Sequence, residues 1–193
     1  MADSPRILAI DPGTRRVGWA VVESVGGRLR LVEGGVIRAD RQSDYAPRLA
    51  LIMREIQQII AKLRPAEAAI ETAFAGRNVS AALKIGEGRG VAIAACGVAG
   101  LPVFEYAARL VKRAATGRGG ADKSQVAAMV ALQMGLGREK LPPDLTDACA
   151  VAITHFNRRT NPSRTPGTPP GGAGRRPPAN RAGRAGNPAR RNS

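Results

Sequence analysis

Apolar positions along the chain change period several times, and each change marks an element. A short apolar run over 6–10 stops at Asp11-Pro12-Gly13, a turn signal. Segments 17–23 and Arg28–Arg38 read as two more strands, with Gly26-Gly27 between them as a hairpin turn. From Tyr45 to Leu63, residues Leu49, Ile52, Met53, Ile56, Ile59, Ile60 and Leu63 fall on one helical stripe, and Pro65 follows its end. A brief strand over 68–70 ends in Glu71. Segment 78–96 reads as helix and 101–104 as strand. Two helices flank the glycine-rich loop 117–120, one over 107–115 and the next beginning near Asp122, and a last helix covers 143–159. A hairpin followed by β/α alternation predicts an α/β fold, one mixed sheet with helices on its faces.

The pattern stops at residue 159. Residues 160–193 hold seven Pro, six Gly and seven Arg, with no acid and no Leu, Ile, Val or aromatic residue. Such a segment cannot bury enough apolar surface to offset its ordering entropy, so the division is a folded body, 1–159, and a disordered basic tail, 160–193. The tail carries +7 of the net +15, which leaves the body basic by itself at +8. This balance points to a polyanionic partner, with nucleic acid ahead of a membrane surface. Abundant Ala, Gly, Arg and Pro offer another source for the tail's arginines, base composition of the genome. The longest nearly apolar run, 91–104, is too short and too broken by glycine and Pro102 to span a bilayer, which needs about 20 apolar residues. The first residues, Met-Ala-Asp-Ser-Pro, lack the basic start of a secretory signal. Cys96 and Cys149 are the two cysteines, a count that suits a reducing cytosol rather than a disulfide framework or a zinc site.

The acids carry the chemistry. Asp11 and Glu71 each end an apolar strand, and Asp144 and Asp147 begin the last helix three residues apart, on one face. Carboxylates converging at one sheet edge repel unless a cation sits among them, and Mg²⁺ or Mn²⁺ suits an all-oxygen set. Two such ions about 4 Å apart form the clamp used for in-line displacement at phosphorus. Each acid also has a plain structural reading. Asp11 before Pro-Gly serves as a turn residue, and Asp144 and Asp147 serve as a helix cap and a first-turn acid. Glu71 has no common structural duty.

Five blocks, in order, resemble one family: Ile7-Leu8-Ala9-Ile10-Asp11-Pro12-Gly13-Thr14-Arg15-Arg16-Val17-Gly18-Trp19-Ala20; Ala69-Ile70-Glu71-Thr72-Ala73-Phe74-Ala75-Gly76-Arg77-Asn78; Pro102-Val103-Phe104-Glu105-Tyr106-Ala107-Ala108-Arg109-Leu110-Val111-Lys112; Lys123-Ser124-Gln125-Val126; and Asp144-Leu145-Thr146-Asp147-Ala148-Cys149-Ala150-Val151-Ala152-Ile153-Thr154-His155. Together they are similar to the bacterial RuvC family of Holliday-junction resolvases over essentially residues 6–157. The first block is shared with many ATPases and nucleases; the Glu-Tyr-Ala-Ala and Asp-x-x-Asp-Ala blocks are specific. The resemblance implies a ribonuclease H-like fold with a mixed five-stranded sheet and a homodimer. It implies paired nicks in strands of like polarity with Mg²⁺ or Mn²⁺, in recombination and repair in the cytoplasm. It also implies RuvA and RuvB, the junction-binding and branch-migration helicase subunits, as partners. Carried over by motif, Asp11, Glu71, Asp144 and Asp147 are the metal-binding catalytic acids. Lys112 and Lys123 match the family's basic partners, Phe74 its junction-contacting aromatic, and Arg77, Asn78 and Lys84 further DNA contacts. Glu87 is a departure, since the family has glutamine there.

Other readings stay open at this level. Lys123 begins a helix, where the dipole disfavours a cation, so it is placed to hold a phosphate beside free N–H groups; otherwise it is a solvated lysine. Lys112 lies with Arg109 and Arg113 on what is also an ordinary wet helix face. Phe74 either stacks on a base or plugs its loop onto the core. His155 lies roughly 12 Å along the helix from Asp147 at about 1.5 Å per residue, which makes it a structural histidine. Cys149 reads as packing. The ridge Ala82, Gly86, Gly90, Ala94 predicts close approach of another backbone, either a second copy or the chain's own sheet. An actin-like phosphate loop would need a second domain. A nuclease of ribosomal RNA precursors shares the first block, and a non-enzymatic DNA binder leaves the strand-end acids unexplained.

Overall fold

The computed structural model describes residues 5–42, 44–72, 79–136 and 141–160, with backbone only over 79–82. In chain order it contains β1 (Ile7–Asp11), β2 (Arg16–Val25), β3 (Arg28–Arg38), a 3₁₀ turn (Ala39–Arg41), α1 (Tyr45–Leu63), β4 (Glu67–Thr72), α2 (Val79–Val98), β5 (Val103–Ala107), α3 (Ala108–Thr116), α4 (Lys123–Met134) and α5 (Pro143–Thr160). The strands form one five-stranded sheet in the order β3-β2-β1-β4-β5. The first three strands are an antiparallel meander, while β4 and β5 run parallel to β1. The mixed α/β sheet expected from the pattern is therefore present.

Side chains alternate across each strand, which divides the core in two. Leu8, Ile10, Val17, Val21, Ala68 and Ile70 face α1 and α2. Ile7, Ala9, Ala20, Val22, Ala69 and Tyr106 face α3, α4 and α5. The stripe read on α1 is the packed one: Ile52, Ile56, Ile59, Ile60 and Leu63 are buried. Helix α5 presents Ala148, Cys149, Val151 and Ala152 to the sheet, all fully buried. Small residues there let the helix lie close across the strands.

Several boundaries move. Strand β4 starts at Glu67 and runs on to Thr72, so Glu71 is its penultimate residue rather than its terminus. β5 lies at Val103–Ala107, two to three residues beyond the expected segment, because its register with β4 continues through Thr72 and Ala107. Helix α5 begins at Pro143, a residue suited to the first helical position. Asp144 therefore lies inside the helix and is not its cap. α5 ends at Thr160, one residue past the expected body boundary, and the rest of the tail lies outside the described residues. Cys96 and Cys149 are buried free thiols, as packing residues should be, with burial pushing their pKa to about 11 and about 12.

Candidate active site

Parallel pairing of β1 with β4 matches Ile10 to Ile70, so the next residues, Asp11 and Glu71, leave the two strands side by side on the face toward α5. Asp147 enters from the first turns of α5. Asp11, Glu71 and Asp147 line one pocket of about 220 Å³ with Ala108, Val111, Lys112, Lys123, Val126 and Ala150. Asp144 is one turn earlier on α5. Its Oδ2 lies 2.9 Å from Arg16 Nη2, an ion pair by distance. That oxygen is nonetheless buried without an aligned hydrogen bond.

Burial and neighbouring acids shift three of the carboxyls, Asp11, Glu71 and Asp147. Burial first, then Glu71, Asp147 and Asp144, push the Asp11 carboxyl up to about 8, with Lys123 opposing. Burial and Asp147 raise Glu71 to about 7 against Lys112 and Lys123. Asp147 is also raised, by burial foremost, with Lys123 pulling it back. Neighbouring carboxylates in a half-dry pocket repel one another, and the two lysines offset that only in part, an environment that a divalent cation would neutralise. As they stand, no three acid, histidine or cysteine side chains among the described residues surround a single point closely enough to hold an ion. The pocket is an electrostatic convergence, and coordination requires the carboxylates to turn inward. The donor set, all carboxylate oxygen with one oxygen unsatisfied, fits a hard divalent ion.

Both expected lysines reach this pocket, Lys112 from α3 and Lys123 from the first residue of α4. Lys123 Nζ lies 3.6 Å from Asp147 Oδ2. The expectation of free N–H groups beside Lys123 is only partly met. Asp122 caps α4 and accepts from the Gln125 N–H at 2.8 Å, while Gln125 Oε1 accepts from the Asp122 N–H. Lys84 is exposed on α2 and does not line the pocket. Phe74, Arg77 and Asn78 lie outside the described residues. Glu87 has a local explanation, because the Tyr45 hydroxyl donates to its carboxylate and ties α1 to α2. A larger cleft of about 500 Å³ between β3 and α1 contains Trp19 and two acids, Glu33, which is paired with Lys62, and Glu55.

The sequence profile described as crossover junction endodeoxyribonuclease RuvC matches residues 7–155. The chain belongs to the RuvC family. A relative from Roseiflexus sp. bearing that name is 47% identical over 150 residues, 78% of this chain and 89% of the relative. Another, from Chloroflexus aggregans, is 46% identical over 150 residues, 78% of this chain and 92% of the relative. Among solved structures, RuvC of T. thermophilus in complex with Holliday junction substrate superposes with a TM-score of 0.74 at 33% identity, covering 81% of this chain and 96% of that one. The yeast mitochondrial Holliday junction resolvase shares the fold, with a TM-score of 0.62 at 12% identity, covering 81% and 80%. The sheet and its helices are the ribonuclease H-like arrangement of these resolvases. As a RuvC protein, the chain is a crossover junction endodeoxyribonuclease, a hydrolase of DNA recombination and repair that depends on a divalent metal.

Two further residues shape the RuvC pocket, and the sequence blocks alone do not single them out. Arg16, the first residue of β2, meets Asp144 only because α5 crosses there. Gly18 pairs with Asp11, and a Cβ built on it would lie 1.8 Å from the Asp144 carbonyl oxygen. A glycine inside a strand signals close backbone approach, so the sequence does hold a signal for Gly18. Among the described residues no helix is long and apolar enough to cross a membrane.

Proposed function

We propose that this protein resolves four-way Holliday junctions as a homodimer, nicking two strands of like polarity, with Asp11, Glu71, Asp144 and Asp147 as its catalytic acids. The observation that carries the reading is the single pocket in which Asp11, Glu71 and Asp147 face Lys112 and Lys123. The T. thermophilus relative on its junction substrate supports the choice of DNA. Mg²⁺ is the proposed ion, Mn²⁺ substituting, and two ions per site would supply water activation and leaving-group stabilisation.

The residues divide the remaining work. The four carboxylates would hold the cations, whose charge would offset the repulsion among them. Lys112 and Lys123 reach the phosphate bearing the scissile bond and fix it over the acids. Val111, Val126 and Ala150 give the pocket apolar walls, which raise the strength of each charge inside it. Phe74, Arg77, Asn78 and Lys84 remain proposed DNA contacts. RuvA and RuvB are proposed partners, and the cytoplasm, where the chromosome is, the proposed location. The deciding experiment compares nicking of a synthetic four-way junction, a matched duplex and RNA, with and without Mg²⁺. Paired nicks confined to the junction and to Mg²⁺ are expected; equal cleavage of duplex or RNA would sink the reading.

The dimer contact is assigned to the ridge on α2. A Cβ added at Gly86 or Gly90 meets nothing within 4 Å, which supports a second copy over the chain's own sheet as the partner of these two positions. Ala92, Ala95 and Cys96 make that packing instead. Flanking the ridge, Leu83 and Val98 are 65% and 72% exposed. A symmetric pair of sites would coordinate two cuts. Gly86→Leu with Gly90→Leu should yield a folded monomer by light scattering and circular dichroism that no longer nicks in pairs. A dimer of unchanged mass would exclude this ridge.

We also propose that the tail adds sequence-independent affinity and nothing to the chemistry. Deleting residues 161–193, just beyond α5, should preserve junction cleavage. It should weaken duplex binding and flatten its salt dependence by about 0.9 in log–log slope for each phosphate that the tail no longer neutralises. A truncated protein that binds duplex as before would show the tail to be inert; one that no longer cleaves would give it a catalytic part.

A further inference from the structure

Behind the acid pocket, on the same face of the sheet, lies a second group of polar residues that the chemistry above does not use. His155, 1% exposed, lies deep on α5. Its Nδ1 is 2.7 Å from the Tyr106 hydroxyl on β5, and its Nε2 is 3.1 Å from Glu67 Oε1 on β4. Arg159, at the end of α5, pairs with the same carboxylate. Phe104 packs on the imidazole with ring centroids 4.9 Å apart. The tautomer follows from chemistry. A carboxylate only accepts, so Nε2 carries the proton toward Glu67 and Nδ1 accepts from Tyr106. The Nε2 contact is short but not aligned as a full hydrogen bond. Burial lowers the pKa of His155 against the pull of Glu67, which keeps the ring neutral.

Position makes this group more than filler. Tyr106 is the register partner of Glu71, and Glu67 stands four residues before Glu71 on the same strand face. His155 shares the stripe of Asp147, about 12 Å further along α5 at about 1.5 Å per residue. Between them the sheet-facing residues of α5 include Ala148, Val151 and Ala152, small or smooth. Apolar contact is non-directional, so such a surface sets how closely α5 lies but only weakly where it stops along its axis. The buried Tyr106–His155 hydrogen bond is directional and, with the contacts of His155 and Arg159 to Glu67, fixes that coordinate.

We propose that Tyr106, His155 and Glu67, with Arg159, are positioning residues that lock α5 against β4 and β5 and thereby set the spacing of Asp144 and Asp147 from Glu71. The inference rests on the reading of those acids as the catalytic set. Sites of this kind tolerate errors of about 0.5 Å, and misplacement by about 1 Å costs roughly 100-fold in rate.

Tyr106→Phe removes one oxygen and keeps the ring, and His155→Gln keeps a polar group able to reach Tyr106. In full-length protein well below its melting temperature, Tyr106→Phe and His155→Leu should each lower the single-turnover nicking rate about 10- to 100-fold. Junction affinity should be unchanged and the Mn²⁺ half-saturation raised several-fold, read both in nicking and in direct Mn²⁺ titration by paramagnetic resonance. The double variant should be no slower than the worse single one, and His155→Gln should recover part of the loss. If Tyr106→Phe does not fold, His155→Gln against His155→Leu gives the same comparison. Folded variants with a lower melting temperature but an unchanged rate and Mn²⁺ midpoint would reduce the group to core packing. If the catalytic reading itself is wrong, Asp147→Asn will also nick normally, which distinguishes the two failures.

Discussion

Asp11→Asn, Glu71→Gln, Asp144→Asn and Asp147→Asn should each lower nicking by about 100- to 1,000-fold, the scale of removing an electrostatic element preorganised for the transition state. Each should retain binding to a four-way junction, because affinity for DNA rests on cationic contacts to phosphate. The Asp11, Glu71 and Asp147 variants should also be more stable than the parent without divalent ions, because burial foremost raises these three carboxyls. Asp11 and Glu71 are held up at about 8 and about 7, by burial first and by neighbouring acids next. Over the range from the ordinary carboxylate pKa, about 4, to these values, the folded chain binds more protons than the unfolded one. Stability of the metal-free protein therefore falls as pH rises through that window, and it is highest below it as far as these groups are concerned. Asp11→Asn removes the largest share, so at pH 8 in chelator its melting temperature should exceed the parent's by about 4 °C or more, given about 2–4 °C per kcal/mol in a domain of this size. At pH 4 the gap should close. Mg²⁺ should raise the parent's melting temperature and barely move the variant's. Normal nicking by Asp144→Asn and Asp147→Asn would return that pair to helix-terminus duty, and equal melting temperatures at pH 8 would contradict the burial and repulsion that raise Asp11.

Gly18→Ala, the addition of one methyl group to a strand, should cost roughly 100-fold in nicking rate. The added Cβ would stand 1.8 Å from the Asp144 carbonyl oxygen and 2.5 Å from its carbonyl carbon. Both are backbone atoms in the first turn of α5, so no side-chain rotation relieves the clash. The turn must move outward by more than about 1 Å, carrying Asp144 and Asp147 away from Asp11 and Glu71, and displacement on that scale costs about 100-fold. Overpacking of this kind also destabilises by typically about 1–3 kcal/mol, which chemical denaturation will read. Gly27→Ala is the control. Gly27 has nothing within 4 Å and lies in the β2–β3 turn. An alanine there is strained by the φ of 77°, so this variant should lose stability with no change in rate. Equal rates for Gly18→Ala and the parent would mean that α5 does not depend on this contact.

Local periodicity was enough for most of the elements. The stripe from Tyr45 to Leu63 is helix α1 to the residue, and Arg28–Arg38 is β3, because an amphipathic face is written into consecutive residues and needs no distant partner. The acids were legible for a related reason: a carboxylate interrupting an apolar strand is conspicuous in one dimension. The RuvC blocks carried the family before any fold was known, and the chain's match over residues 7–155 agrees with them. What the line of residues could not hold was anything created by crossing elements. That Asp11 and Glu71 are neighbours depends on β1 and β4 pairing in parallel across more than fifty intervening residues. Gly18 matters only because α5 crosses β2 at that point. His155, the chain's single histidine, reads as a structural residue from spacing, yet only the packed sheet brings Tyr106 and Glu67 to its two nitrogens. Sequence by itself determined the elements and the basic charge, each a property of composition or short spacing, and the blocks that resemble RuvC named the candidate acids. The tertiary structure alone decided which acids share a pocket, how burial and then their repulsion raise their pKa values, and which buried contacts α5 makes, since electrostatics and close packing act through distance in space and not along the chain.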